Sequence, residues 1–194
     1  MFIFVRKLTV NLIRNDIDVI LGTGVEVIYN TRIGEDISVE ELRQKYDAVL
    51  ITIGASTDKK LGIEGEDAKG VVSAVSFLKE SGCGGGESLE GKTVCVVGGG
   101  NVSMDAVRTA IRKGASKVSV VYRRRVADMT ALKEEIDSAA EEGVEIMTLK
   151  APSRIEVSEN NEIKGLWVIP QMISDIRDGR ASVKASGEED VFLA

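Results

Sequence analysis

The stretch TVCVVGGGNVSMD, residues 93–105, decides the fold of this chain. Its first half is an apolar, β-branched run of the kind found in strands that are covered on both faces. Its second half opens an amphipathic helix, and glycines lie between the two. Gly98, Gly100 and Ser103 match the spacing GxGxxG, with serine in place of the third glycine. A strand, a glycine turn and a helix in this order predict the first βα turn of a dinucleotide-binding fold.

A second phosphate-binding pattern overlaps the first. Gly86, Gly91 and the pair Lys92–Thr93 spell GxxxxGK[ST], the P-loop pattern. A P-loop follows a buried strand, and its lysine opens a helix whose amides hold the phosphates. The sequence instead predicts a helix and a loop before Gly86 and a strand after Lys92. Because the required order is reversed, we interpret this match as a coincidence within a glycine-rich connection.

The segments around the glycine turn predict an α/β fold. Strands and helices alternate, which implies a parallel sheet with right-handed crossovers and a Rossmann-like architecture. From residue 152 onward only strand patterns follow, and they predict an antiparallel β meander with a turn at Asn160–Asn161. The predicted elements of the alternating part are strands over 93–98, 117–122 and 144–149 and helices over 101–113 and 130–142.

The first third of the chain carries mixed patterns. Helical spacing and strand-like runs alternate there, and Ser38 and Glu41 have the spacing of a capping box. The run DAVLITIG, residues 47–54, is nearly all apolar, which is typical of a strand covered on both faces. The predicted elements are helices over 8–22, 38–46 and 71–82 and strands over 25–30 and 47–54.

Three arginines at the end of the second predicted strand indicate which nucleotide is bound. An NAD site usually has Asp or Glu about 20 residues after the glycines, to bind the ribose 2′-hydroxyl. Here Arg123, Arg124 and Arg125 stand in that region. Guanidinium groups match a 2′-phosphate in charge and geometry, so NADP(H) is favoured over NAD(H). We expect Arg123 and Arg124 to bind the phosphate and Arg125 to point to solvent.

Composition excludes several other classes of function. The chain has 194 residues, a net charge of −6, two cysteines and no histidine. An acidic chain is a poor partner for nucleic acid or for an anionic membrane. Two cysteines cannot form a four-cysteine metal centre, so no metal site is expected. We expect Cys95 to lie in the core, Cys83 to be an incidental exposed thiol and the protein to be cytoplasmic.

Taken together, these motifs resemble a known family. The stretches VVGGGNVSMDAVRTAIRKGA, VSVVYRRR and DMTALKEEIDSAAEEGVEI closely resemble the NADPH-binding domain of glutamate synthase small (β) subunits. These subunits belong to the FAD- and NAD(P)-dependent oxidoreductases with two dinucleotide domains. The earlier stretch VEVIYNTRIGEDISVEELRQKYDAVLITIGA also resembles this group.

The resemblance also implies a domain organisation. Members of the group begin with an iron–sulfur domain and an FAD-binding βαβ unit that have no counterpart here, and the FAD site is completed beyond the last residues of this chain. The chain is therefore expected to be a fragment truncated at both ends. The implied parts are an FAD-domain remnant over 1–60, an NAD(P)H-binding domain over 61–187 and the start of a return strand over 188–194.

In such enzymes a hydride passes from NADPH to FAD, and electrons continue to iron–sulfur centres and a larger partner subunit. Such a transfer depends on alignment and cofactor electronics, so no catalytic side chain is expected. The isolated chain is expected to be inactive and to hold no stable flavin. Its oligomeric state stays open, although exposed strand surface of the kind expected here tends to associate, which would give a homo-oligomer. The implied cofactor-binding residues are Gly98, Gly99, Gly100, Asn101 and Val102 at the pyrophosphate and ribose, Arg123 and Arg124 at the 2′-phosphate, and Gly54 facing the flavin.

Two alternatives stay open at this point. The chain could instead be a non-catalytic module that binds or senses NADP(H). The same module could also belong to another iron–sulfur flavoprotein complex, because the sequence does not reveal the final electron acceptor.

Overall fold

The computed structural model describes residues 10–54, 57, 59–82 and 84–194. Its backbone clusters into two units, Met1–Gly54 and Ala55–Ala194, which we call the N-terminal unit and the C-terminal unit. The helices are α1 (Val10–Leu21), α2 (Val39–Lys45), α3 (Ala74–Gly82), α4 (Asn101–Arg112) and α5 (Lys133–Glu141). The strands are β1 (Thr93–Val97), β2 (Lys117–Tyr122), β3 (Glu145–Thr148), β4 (Lys150–Val157), β5 (Ile163–Arg177), β6 (Arg180–Ala185) and β7 (Val191–Leu193).

The N-terminal unit contains α1 and α2 joined by irregular segments. The capping box at the start of α2 is confirmed, because the Ser38 hydroxyl accepts from the Glu41 amide and the Glu41 carboxylate accepts from the Ser38 amide. The strands predicted over 25–30 and 47–54 are wrong, since neither segment forms a ladder. A strand needs a neighbour to satisfy its backbone, and the described residues supply none. Leu50 and Ile53 are accordingly 88% and 87% exposed.

The C-terminal unit is built on a parallel sheet in the order β1-β2-β3. The central strand β2 pairs with both neighbours, and its side chains are buried on both faces. Helices α4 and α5 cover one face, where Met104, Val107, Val120 and Ile136 belong to one apolar core. The predicted Rossmann-like α/β fold is therefore confirmed.

An antiparallel sheet covers the opposite face. Strand β5 pairs with β4, β6 and β7, which confirms the predicted meander. Leu166 and Val168 of β5 pack against Val121 of β2 in a second core. The role expected for 188–194, a return strand towards an FAD domain, stays a prediction, and so does the domain boundary expected after residue 60.

Two details differ from the sequence-based expectations. Helix α5 begins at Lys133 rather than at residue 130, because the amides of Thr130 and Ala131 donate to the Gly99 carbonyl instead of entering the helix. Cys95 is exposed rather than buried, because side chains alternate between the faces of a strand and Val94 and Val96 occupy the face of β1 that packs against the core beneath α4 and α5. The expectation for Cys83 falls outside the described residues. None of the described helices has the length and apolar character needed to cross a membrane.

Candidate nucleotide-binding site

The glycine turn lies where β1 ends and α4 begins. The Gly98 amide donates to the Val121 carbonyl at 3.0 Å, which continues the pairing of β1 with β2 by one residue. Gly98 has a φ of +145°, a conformation that residues with a side chain rarely adopt. A Cβ on Gly98 would also overlap the Ser103 hydroxyl. Ser103 is buried, so the small side chain that replaces the third glycine fills space that Gly98 leaves open.

Gly99 allows the turn to pack on the end of β2. A Cβ there would lie 2.7 Å from Cε2 of the Tyr122 ring and 3.1 Å from Cγ of Met129. The Gly99 carbonyl accepts from the Thr130 amide at 2.8 Å and from the Ala131 amide at 3.0 Å. Gly99 is therefore a packing residue that joins β1, β2 and the segment leading into α5.

Gly100 and the first turn of α4 present an open surface. Gly100 has extended backbone with a φ of −103°, and a Cβ on it would approach only Thr130 Oγ1, at an ordinary 3.5 Å. The packing of the protein itself thus does not require glycine here. Among the described residues, no acceptor is found for the backbone amides of Asn101 and Val102. Free amides at the start of a helix attract anions.

The side chains of Asn101 and Val102 have different surroundings. Asn101 Oδ1 accepts from the Leu132 amide at 2.9 Å and so holds the start of α5 against the start of α4. Val102 is 46% exposed. These two residues therefore offer a ligand their backbone amides, and the Asn101 oxygen is already used within the protein.

Arg123 and Arg124 follow β2 directly, and Tyr122 at the end of β2 packs against Gly99 of the glycine turn. Arg123 is exposed and Arg124 is half-buried. No side-chain hydrogen bond or ion pair to either guanidinium is found within the described residues. Arg124 Nε is buried without a hydrogen-bond partner. Within the described part of the chain, two cations without a hydrogen-bond partner thus follow the strand end that packs on the glycine turn.

Arg125 does not point to solvent, as the sequence led us to expect. Its Nε donates to Asp128 Oδ2 at 2.8 Å, and its Nη2 donates to Asp128 Oδ1 at 2.9 Å and to the Gly179 carbonyl at 3.1 Å. A bidentate pair of this kind is directional and strong. Arg123 and Arg124 are the arginines of the triplet for which the described residues provide no such pair.

Asp128 is the residue that sequence reasoning missed. Its side chain is fully buried and also accepts from the Ala181 amide at 2.8 Å. The hydrogen bonds from Arg125 hold the pKa of the Asp128 carboxyl well below its usual range, against the opposing effect of desolvation. The i, i+3 spacing of Arg125 and Asp128 is a local signal for an ion pair. The hydrogen bond from Ala181 joins residues 53 positions apart, and no local sequence pattern indicates it.

Gly54 closes the N-terminal unit in an exposed position with a φ of +67°. Because no strand leads into it, the structure adds nothing to its expected contact with a flavin, which stays a prediction.

Comparisons with known proteins identify the family of the chain. Residues 5–171 match the family model for pyridine nucleotide-disulphide oxidoreductases. The chain is 45% identical over 168 residues to the NADPH-Fe(3+) oxidoreductase subunit beta of Geobacter sulfurreducens, which covers 85% of this chain and 25% of that protein. It is 35% identical over 189 residues to the glutamate synthase [NADPH] small chain of Escherichia coli, covering 91% of this chain and 40% of that one.

A solved structure has the same fold. Mycobacterium tuberculosis FprA in complex with NADPH superposes with a TM-score of 0.68 at 19% identity, over 84% of this chain and 52% of that one. The chain thus spans between about a quarter and two-fifths of the length of these curated relatives. The expected resemblance to glutamate synthase small subunits and related oxidoreductase subunits is confirmed. On the family match and these identities, the chain belongs to the pyridine nucleotide-disulphide oxidoreductase family.

Proposed function

We propose that this chain is the NADPH-binding portion of a flavoprotein oxidoreductase of the glutamate synthase small-subunit type. In the full-length protein, hydride passes from NADPH to FAD and electrons continue to a further acceptor. One observation carries the proposal: among the described residues, the Arg123 and Arg124 side chains have no hydrogen-bond partner and the first amides of α4 have no acceptor, and the strand end that carries the arginines packs on the glycine turn. The family match supports NADPH and FAD, and NADPH also stands in the names of the two relatives.

The residues present fit a dinucleotide phosphate. Glycine is a favoured N-cap residue, and at Gly100 it also leaves open a space that no neighbouring atom of the protein needs, so a phosphate group could approach the backbone there. The amides of Gly100, Asn101 and Val102 would hold the pyrophosphate, with Gly98 and Gly99 shaping the turn. Arg123 and Arg124 would hold the 2′-phosphate, and Arg124 Nε would gain the partner that it lacks.

The nucleotide supplies the hydride, and this chain supplies binding and orientation. We assign no catalytic side chain, because alignment of the two cofactors is what such a transfer requires. Gly54 would contact the flavin in the full-length protein. For the isolated chain we propose neither activity nor a stable flavin, and the cytoplasm is the proposed location.

The partner is proposed to be a larger subunit or an iron–sulfur domain. The relatives are named as subunits or small chains, and this chain matches only part of each. A second candidate is the same module in another iron–sulfur flavoprotein complex. It is favoured by the 45% identity to a subunit whose name specifies Fe(3+) rather than glutamate.

Nucleotide titration tests the binding site. We expect the chain to bind NADPH at least about tenfold more tightly than NADH, because hydrogen bonds to a charged group contribute about 1.5–3 kcal/mol. The double variant R123Q/R124Q should lose most of that preference. The matched control R112Q/K117Q removes the same charge at the last turn of α4 and the first residue of β2, the opposite ends of these elements. Equal titration curves for the two nucleotides in the unmutated chain would contradict the proposal.

A glycine substitution separates ligand contact from folding. Gly100→Ala should lower the thermal midpoint only slightly, since its Cβ meets only Thr130 Oγ1 at 3.5 Å and alanine is a poorer N-cap of α4 than glycine. It should nevertheless weaken NADPH binding, because the methyl group occupies the space proposed for the pyrophosphate. Undiminished binding by this variant would show that the phosphate lies elsewhere.

Turnover distinguishes an oxidoreductase from a sensing module. The full-length protein, given FAD and an artificial electron acceptor, should oxidise NADPH. Binding of NADPH with no oxidation under these conditions would favour the sensing module. Ferric iron and glutamate-forming substrates offered as alternative acceptors would then decide between the two enzyme candidates.

A further inference from the structure

Asp128 contacts the chain on both sides of the Arg123–Arg124 pair. The residue before the pair, Tyr122, donates its hydroxyl to the Asp128 carbonyl at 2.8 Å. The residue after it, Arg125, donates its amide to Asp128 Oδ2 at 3.2 Å and its guanidinium to both carboxylate oxygens. Arg123 and Arg124 thus lie between two residues, Tyr122 and Arg125, that are both hydrogen-bonded to Asp128.

We propose that Asp128 is a positioning residue that sets the preference for NADPH over NADH by fixing the backbone that carries Arg123 and Arg124. This inference rests on the proposed function of the arginine pair. The Asp128 side chain is fully buried, so it would act through its neighbours rather than by touching the nucleotide.

The Tyr122 contact connects the pair to the glycine turn. The Tyr122 ring lies directly against Gly99, so the hydroxyl bond to Asp128 fixes the ring on which the turn rests. The next two residues after Asp128 also contact the glycine turn. Met129 packs against Gly99, and the Thr130 amide donates to the Gly99 carbonyl. Displacement of Asp128 would therefore change the spacing between the pyrophosphate subsite and the arginines.

A second anchor comes from the antiparallel sheet. Asp128 Oδ1 accepts from the Ala181 amide on β6, and Arg125 donates to the Gly179 carbonyl in the turn between β5 and β6. Ala181 is 2% exposed, so this anchor is a buried part of the fold. The Asp128 carboxylate thus connects the segment that carries the arginines to β6, which lies outside the parallel sheet.

A further hydrogen bond, independent of Asp128, fixes the backbone of Arg124. The Leu149 amide donates to the Arg124 carbonyl at 3.1 Å. Leu149 has a φ of +56°, which is unusual for a large side chain. Strained residues of this kind persist where surrounding contacts determine them. Fixing the main chain lowers the ordering cost of placing two long side chains on a phosphate, so affinity for that phosphate increases.

The test is Asp128→Asn in the full chain, with NADPH and NADH titrated separately. The amide keeps the size and the carbonyl oxygen of the residue but cannot accept both guanidinium bonds of Arg125. We expect the Kd for NADPH to rise at least tenfold and the Kd for NADH to change less than threefold. Asp128→Glu, which restores the carboxylate, should recover part of the preference.

Glu142→Gln is the matched control. Glu142 accepts from Arg108 and Arg112 at 2.9 Å, so the control also removes a carboxylate that joins two elements. It should leave the ratio of the two Kd values unchanged. If Asp128→Asn does not fold, Arg125→Gln breaks the same pair from its more exposed side, and the same loss of preference is expected.

The outcomes are distinguishable. An unmutated chain that binds both nucleotides equally contradicts the proposed function. A preference that is present in the unmutated chain and unchanged in Asp128→Asn contradicts only the positioning role. Equal weakening of both nucleotides also overturns it, because it would indicate a general loss of structure.

Discussion

Residues 47–54 in the N-terminal unit and residues 117–122 in the C-terminal unit have similar apolar sequences and different structures. The second segment is β2, which pairs with β1 and β3 and is covered on both faces. The first segment forms no ladder, and Leu50, Ile51 and Ile53 are 69–88% exposed. The difference lies in the neighbours that the described chain provides, since the two segments have comparable strand character.

Helices in the two units differ much less. Both α2 and α4 form where the sequence predicts them, although α2 has no buried residue and α4 has several. A helix satisfies its backbone within its own segment, whereas a strand requires a partner that is distant in sequence. Local signals are therefore sufficient for the helices of both units, but for strands only in the unit that holds the partners.

Hydrogen exchange should show the largest difference between the two segments. The amides of 118–121 should exchange at least about a thousandfold more slowly than those of 49–53, a factor that corresponds to about 4 kcal/mol of opening free energy. Exchange followed by mass spectrometry or NMR measures this directly. Comparable protection of both segments would break the comparison. Protection of 49–53 that increases with protein concentration would show that a second copy supplies the missing strand.

Matched isoleucine substitutions should show the next largest difference. Ile136 is 8% exposed and Ile53 is 87% exposed. Ile136→Ala should lower the free energy of unfolding by about 2–5 kcal/mol, because it leaves a cavity in the core. Ile53→Ala should change it by less than about 0.5 kcal/mol, as for other surface sites. Urea denaturation measures both, and a large effect of Ile53→Ala would mean that its side chain is covered in solution.

Local sequence patterns predict part of the candidate nucleotide site but not the contacts of Arg125 and Asp128. The glycine turn, the helix start and the exposed Arg123 follow from short patterns within a few residues. The role of Arg125 could not be predicted, because it depends on Gly179, which is 54 residues away, and on Asp128. Asp128 in turn depends on Ala181. These contacts join residues that are far apart in sequence and leave no local pattern, so the sequence could not predict them. The strand predicted over 47–54 was wrong for a related reason, because a strand depends on a partner that is distant in sequence.

Acid should affect the two units differently through two carboxylates. Hydrogen bonds from Arg125 lower the pKa of Asp128, and hydrogen bonds from the Ser38 amide and hydroxyl lower the pKa of Glu41. A carboxyl whose pKa is lowered by folding contributes stability above its unfolded pKa of about 4 and loses it as the pH falls further. Protonation of the Asp128 carboxylate should lower the unfolding midpoint of the C-terminal unit, because it weakens the hydrogen bonds from Arg125. Protonation of the Glu41 carboxylate should only fray α2.

Urea midpoints between pH 7 and pH 2 provide the measurement. Asp128→Asn should flatten the decline of the midpoint on the acid side, and Glu41→Gln should leave the decline unchanged. An acid decline that persists fully in Asp128→Asn would assign the effect to other carboxylates.

Removing one capping hydroxyl from each unit should give the smallest effect and the sharpest comparison. The Ser38 hydroxyl accepts from the Glu41 amide at the start of α2, and the Ser73 hydroxyl accepts from the Ser76 amide at the start of α3. Replacement of such a residue by alanine costs about 1 kcal/mol. Helix α3 is also held by Phe77, which packs against the core, but α2 has no buried side chain.

Ser38→Ala should therefore abolish most of the protection of the α2 amides, whereas Ser73→Ala should lower the overall unfolding midpoint slightly and leave α3 protected. Amide exchange in the two variants measures both effects. The contrast follows because a cap is a large fraction of the stability of an isolated helical turn and a small fraction of the stability of a packed one. Equal fraying of α2 and α3 would mean that packing in the C-terminal unit contributes less than its buried core indicates.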